Sequence, residues 1–171
     1  MVTTAEPFAG IYQRACERKG GKAALEALLG DSANSEDIAA IPDNLLLGEL
    51  TKKVFQSGFV WRVVRQKWPG FCEVFFDFDI EKMLLMSDEM LEAKARDERI
   101  IRNAGKVFTI RHNAMMIDDI ARKHGSFGRF LADWPSSDII GLWAYLKQNG
   151  ARLGGNTGPY ALRAKIGRAH V

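Results

Sequence analysis

Between Asn149 and Arg163 the chain reads NGARLGGNTGPYALR, with four glycines and a proline inside ten residues and arginines near both ends. Two helix-forming stretches flank it, SSDIIGLWAYLKQNG before and TGPYALRA after. Leu153, Gly155 and Ala161 stand at the spacing Leu-x-Gly-x5-Ala of a helix-hairpin-helix turn. In that pattern the leucine anchors the turn in the core, the glycine supplies a positive φ, and the alanine lets two helices approach closely. The amides of residues 155 to 158 are then expected to point outward at the start of the second helix. Together with the positive end of the helix dipole they form a phosphate site indifferent to base sequence. Thr157 can cap the helix and Asn156 can reach an oxygen. The expected backbone-binding set is Arg152, Gly154, Gly155, Asn156, Thr157 and Gly158. Thr157 stands where the commonest form of the motif has a second glycine, and a plain C-cap followed by an N-cap is the other reading of the same residues.

Charge distribution agrees with an anionic partner. The net charge is only +3, yet no Asp or Glu occurs from Gly141 onward, where Lys147, Arg152, Arg163, Lys165 and Arg168 fall. Basic groups that neutralise phosphates release condensed counterions; a solvated face with acids elsewhere in space is the alternative. Other chemistry-bearing residues are sparse. Cys16 and Cys72 are isolated and read as small buried hydrophobes in a reducing compartment. His112 and His124 lack metal-ligand spacing, and His124 beside Gly125 suits a helix C-terminus. ARDERIIR reads as a solvated face whose Arg99 and Arg102 could touch a DNA backbone, and Met115 and Met116 read as core.

The elements that must position these residues are helical. With 171 residues, 47% hydrophobic and 26% charged, the expectation is one globular domain over residues 1–165, cytoplasmic, with no membrane span and no secretory signal. PFAGIYQRACERKGG ends at Gly20-Gly21 and KAALEALLG at Gly30. Ser35 precedes acids as an N-cap, and Pro42-Asp43 open the next element. Asn44 to Lys67 is the richest helical segment, interrupted at Gly58 and broken by Pro69-Gly70. FCEVFFDF has strand composition but no strand partner. Ser87 caps DEMLEAKARDE, a long amphipathic helix closes at Gly125, and Ser136 or Ser137 caps the helix before the hairpin. The fold class is all-α, about ten helices by periodicity. The last six residues, IGRAHV, match a common sequencing adapter read in one frame; they are expected to be an artefact, with the natural chain continuing past Lys165.

Distributed motifs give a resemblance. QSGFVW (Gln56 to Trp61) resembles the Gln-Ala-Gly-Leu-Ser-Trp motif of the DNA-3-methyladenine glycosylase I family at Gln56, Gly58 and Trp61. RIIRNAGKV (Arg99 to Val107) resembles its Ile-Ile-Arg-x-x-Gly-Lys-Ile segment, Asn113-Ala114 follow at the expected distance, and the hairpin carries the family's threonine at Thr157. The resemblance spans roughly Glu49 to Arg163 and suggests a divergent, C-terminally truncated branch.

The resemblance implies a helix-hairpin-helix DNA glycosylase fold that flips an alkylated purine out of double-stranded DNA and hydrolyses its N-glycosidic bond in base-excision repair. An N3-alkylated adenine is cationic, so its leaving group is already activated. The implied base pocket has Trp61 as stacking ring, Phe55 and Phe59 as walls and Gln56 at a base edge. On helical periodicity alone Trp61 reads as a core residue. Lys53 stands where the family has a glutamate, and Glu49, one turn earlier, can pair with it. The family's zinc cysteines and histidines have no counterpart, so no metal or cofactor is expected, and Tyr12 matches its pocket tyrosine by type but not by spacing. With no lysine in the hairpin to form a Schiff base, the implied reaction is monofunctional, by water, in a monomer. The competing readings are a non-catalytic DNA-binding module that keeps the hairpin alone, and a helical protein with no nucleic-acid role.

Overall fold

The computed structural model describes residues 7–29 and 34–166, so Gly30 and most of IGRAHV lie outside it. By contacts the chain divides into two compact units, Met1–Ser32 and Ala33–Val171. The first holds α1 (Phe8–Lys19) and α2 (Lys22–Leu29). Its turn is the expected glycine C-cap: Gly20 is left-handed, with φ of 85°. Tyr12 donates a hydrogen bond to Glu26 across this helical hairpin. That bond pushes the phenol pKa up to about 12.

The second unit contains α3 (Ser35–Ala39), α4 (Asp43–Gln56), α5 (Trp61–Val74), α6 (Ile80–Leu84), α7 (Asp88–Ala95), α8 (Ala104–His124), α9 (Phe127–Asp133), α10 (Ile139–Asn149) and α11 (Thr157–Ile166). Among the described residues there is no strand, and no helix is long and apolar enough to cross a membrane. Helix α8 is the axis of the core. Val107, Ile110, Ala114 and Ile117 recur at helical spacing and are fully buried, facing α4, α6, α7 and α9. Burying each of the larger side chains stabilises by about 1.5–3 kcal/mol. Asn103 caps α8 through its side chain, and Gly125, with φ of 90°, closes it.

Two local expectations, at Pro69 and at two helix caps, are corrected, and the strand composition of FCEVFFDF gives no strand. Pro69 does not end a helix; α5 runs through it to Val74. An interior proline costs about 3 kcal/mol, and here burial on both sides of it offsets that cost, since Val64, Phe71 and Val74 are all in the core. FCEVFFDF is the end of α5 followed by a single 3-10 turn, Phe76–Phe78. Phe71, Phe75 and Phe78 repeat at helical rather than strand spacing and stack beneath Trp68, whose ring lies 5.2 Å from that of Phe78. The caps of α3 and α10 are Asn34 and Asp138 rather than Ser35 and Ser136 or Ser137. The Ser87 cap of α7 is present as expected.

Candidate functional site

The last turn of α4, the four residues after it and the start of α5 form one wall of a cleft; the hairpin before α11 forms the other. Lys53, Gln56, Ser57 and Trp61 face Asn156, Thr157 and Tyr160 around a cavity of about 130 Å³. Two residue sets that the sequence treats separately, the aromatic segment and the glycine-rich turn, therefore share one site. Helix α11 packs against α4, which fixes the distance between the walls.

Trp61 opens α5 and is 52% exposed, so it is not the core residue that periodicity alone suggests. The Lys53 ammonium lies over its ring, 5.0 Å from the centroid. That cation–π position is within the ~6 Å over which the ring quadrupole attracts a cation. Burial pushes the Lys53 pKa down, partly countered by the Glu49 carboxylate and reinforced by Lys52. Glu49 pairs with Lys52 at 3.4 Å, not with Lys53 as expected, and lies outside the lining. Gln56 is 7% exposed, and its Oε1 is buried without a hydrogen-bond partner. An unmet acceptor of this kind costs about 1–3 kcal/mol until a donor arrives.

The two phenylalanines do not wall the cleft. Phe55 is fully buried, edge-on to Phe71 with ring centroids 4.6 Å apart. It continues the core stripe of Leu47 and Thr51 along α4. Phe59 is exposed on the loop and sits over the ammonium of Lys106, 4.7 Å away. Lys106, in the first turn of α8, is buried and reaches this loop from across the core. Its Nζ donates to the carbonyls of Phe55 at 3.2 Å and Ser57 at 2.5 Å. Burial first, and then the nearby Arg152 charge, push its pKa down. Gly58, with φ of 78°, completes the turn that Lys106 holds and is the expected interruption of the α4–α5 segment.

The hairpin has the anticipated skeleton. Leu153 is 1% exposed and Ala161 3%. Gly155 has φ of 58° with open space around it, so the backbone angle rather than crowding favours glycine there. Gly158 is required for space, because a Cβ would lie 2.7 Å from the Leu153 carbonyl oxygen. The amides are less available than expected. Those of Thr157 and Gly158 donate to the carbonyls of Gly154 and Leu153, whereas the amides of Gly155 and Asn156 have no such backbone bond among the described residues. Gly154 packs towards the Lys147 stem rather than the cleft. Arg152 also lies outside the lining; its guanidinium rests against Gly105 at the start of α8. The turn is clamped from α8 by the buried Asn113, whose Oδ1 accepts from the Ala151 amide at 2.7 Å and whose Nδ2 donates to the Ala151 carbonyl at 3.3 Å.

Four contributors carry no role in the sequence reading. Tyr160 and Ser57 line the cleft, while Lys106 and Asn113 hold its two walls. Tyr160 had a signal, since it lies three residues after Thr157 and so on the same face of α11. Lys106 and Asn113 had only their places in the distributed motifs. Tyr12 belongs to the first unit, where it bonds to Glu26.

With this geometry in view, the sequence pattern of the methyladenine glycosylase family matches residues 39–167. The chain belongs to that family. Its all-α fold is that of solved methyladenine glycosylases. A crystal structure of 3-methyladenine DNA glycosylase I matches with a TM-score of 0.62 and 23% identity, over 74% of this chain and 79% of the other. A tyrosine-to-phenylalanine variant of 3-methyladenine DNA glycosylase I, solved in complex with 3-methyladenine, gives 0.63 and 21%, over 74% and 80%. The enzyme from Staphylococcus aureus, solved to explain 3-methyladenine recognition, gives 0.64 and 21%, over 76% and 80%. The family match begins within α3 and so excludes the first unit.

Proposed function

We propose that this methyladenine glycosylase homologue excises alkylated purines of the 3-methyladenine type from double-stranded DNA by hydrolysing the N-glycosidic bond. The observation that supports this reading is the exposed Trp61 indole in a cleft whose opposite wall is the hairpin. A turn that offers the Gly155 and Asn156 amides to a phosphate holds the strand beside a flat aromatic surface that can receive one extruded base. Extrusion costs a few kcal/mol, least for a damaged base, and stacking on an aromatic ring returns about 1–3 kcal/mol. Gln56 Oε1 then accepts from the base edge. The C1′–N bond breaks with its electron pair leaving on the purine; water adds to C1′ and loses its proton to solvent. No side-chain nucleophile is needed, which fits a lining without Cys, Asp or Glu. The working form in this reading is a cytoplasmic monomer.

The test is release of free base from duplex DNA methylated to contain 3-methyladenine, using wild type and Trp61→Ala. Loss of one stacked base predicts a fall of about ten- to a hundredfold. Binding to undamaged duplex should persist and weaken steeply with salt. Absence of release by wild type, or release untouched in the variant, would refute the reading.

A further inference from the structure

We propose that Lys53 is a phosphate ligand of the cleft: when DNA docks, its ammonium leaves the Trp61 ring for a backbone phosphate held at the hairpin, and so uncovers the indole for the extruded base. The inference rests on the reading of this cleft as a base pocket beside a backbone-gripping turn. In the structure the ammonium lies over the indole, 5.0 Å from its centroid. A half-exposed ring face holds a cation weakly, and an anion that offers charge-assisted hydrogen bonds competes with it readily.

The charges around the cleft leave room for one anion. Glu49, one turn before Lys53 on α4, favours the charged ammonium, while Lys52 opposes it. The Glu49 carboxylate is ion-paired with Lys52 at 3.4 Å, so one acid serves two lysines and these three residues keep one net positive charge. The facing wall supplies no counterion, because no Asp or Glu occurs from Gly141 onward. It supplies Asn156 and Thr157, which line the same cavity of about 130 Å³ as Lys53. The long lysine stem can therefore swing from the ring towards the hairpin with both backbones still. A phosphate there meets the ammonium from one side and the hairpin from the other. Burial, which pushes the Lys53 pKa down, adds to the gain from such a partner.

The exchange also explains how a site with a lysine in it takes a cationic purine. An ammonium paired with a phosphate no longer repels a positive base, and the vacated indole face attracts one. The buried, partnerless Gln56 Oε1 marks the same cavity as the place where the base edge arrives. Strand grip thus precedes base stacking.

The experiment measures affinity for undamaged duplex by fluorescence anisotropy across a salt series, for wild type, Lys53→Gln, Lys53→Met, Lys53→Arg and Lys52→Gln. One lost phosphate contact reduces the slope of log K against log salt by about 0.9. That reduction is expected in Lys53→Gln and Lys53→Met, whose long, unbranched side chains suit a helix. Lys53→Arg and Lys52→Gln should keep the wild-type slope. A companion measurement follows the NMR signal of the Lys53 ε-methylene, assigned by its absence from Lys53→Gln. The Trp61 ring shifts it upfield in the free protein, and undamaged duplex should return it towards the position of an exposed lysine. An unchanged slope in Lys53→Gln and Lys53→Met, or an equal reduction in Lys53→Arg or Lys52→Gln, overturns the proposal and leaves the base pocket standing. So does a signal that stays upfield with DNA bound. Absence of salt-dependent binding by wild type overturns both.

Discussion

The cleft has two walls, each ending in a glycine turn, and each turn is clamped from α8 by a different group, a neutral amide for one and a cation for the other. The hairpin turn is held mostly from within: Leu153 plugs the core, Thr157 and Gly158 bond back to the residues just before them, and a neutral amide, Asn113, clamps Ala151. The loop from Ser57 to Val60 also bonds back to the residues before it, Ser57 to Lys53 and Phe59 to Gln56, but its long-range clamp is one buried cation, Lys106, that reaches two carbonyls 49 and 51 residues away in sequence. Neutral, local bonding suits a surface that must meet many phosphates in the same geometry. A buried ammonium does a second thing. It places a positive charge beneath the loop that orients Trp61, near Arg152, which is itself turned towards the start of α8. In the proposed reading, the grip on the strand and the orientation of the base surface thus depend on different residues, and they should fail separately.

The largest effect is expected at the clamp. Asn113→Ala removes two hydrogen bonds and leaves the amide and carbonyl of Ala151 without their partner. Both bonds are part-buried, so each group left unmet costs at the lower end of about 1–3 kcal/mol, and urea denaturation should show a loss of about 2–3 kcal/mol. DNA affinity should fall with it, since the hairpin loses its fixed position. Lys106→Met should behave differently. It gives up two bonds to carbonyls but also removes a charge that burial disfavours, so the net stability change should stay within about 2 kcal/mol. Base release should nevertheless drop about tenfold, because the Trp61 loop is no longer pinned, while binding to undamaged duplex stays near wild type. If both variants lose DNA binding in parallel, the two walls are one cooperative unit and the contrast is wrong.

The same contrast explains what could be read from residue order. The hairpin was legible because its demands are local: a left-handed Gly155, a crowded Gly158 and a buried Leu153 fall within six residues. Caps at Gly20, Ser87 and Gly125 were legible for the same reason. The roles of Lys106 and Asn113 depend on which carbonyl lies opposite after folding, and spacing does not encode that. Trp61 was ambiguous because an aromatic at a helix start has the same periodicity whether it faces core or solvent. Phe55 lies in the core stripe Leu47, Thr51, Phe55, whose helical spacing is already present in the residue order. Pro69 shows a local preference overridden by tertiary packing, with core residues on either side of the break point.

The smallest effect sharpens the comparison inside the hairpin. Gly155 and Gly158 are both needed, but for different physical reasons, and substitution separates them. At Gly155 no atom lies within 4 Å of a built Cβ, while φ is 58°. Alanine there costs only left-handed strain, about 1–2 kcal/mol, and asparagine, which tolerates that region, less. At Gly158 φ is not the constraint; a Cβ meets the Leu153 carbonyl oxygen at 2.7 Å, the same oxygen that accepts the Gly158 amide at 3.2 Å. Neither alanine nor asparagine escapes that clash, because both have a Cβ. Thermal unfolding should therefore show Gly155→Asn milder than Gly155→Ala, with no such rescue when Gly158→Asn is compared with Gly158→Ala. Equal costs for the two Gly155 variants would mean that the backbone angle is not what the turn requires of that residue.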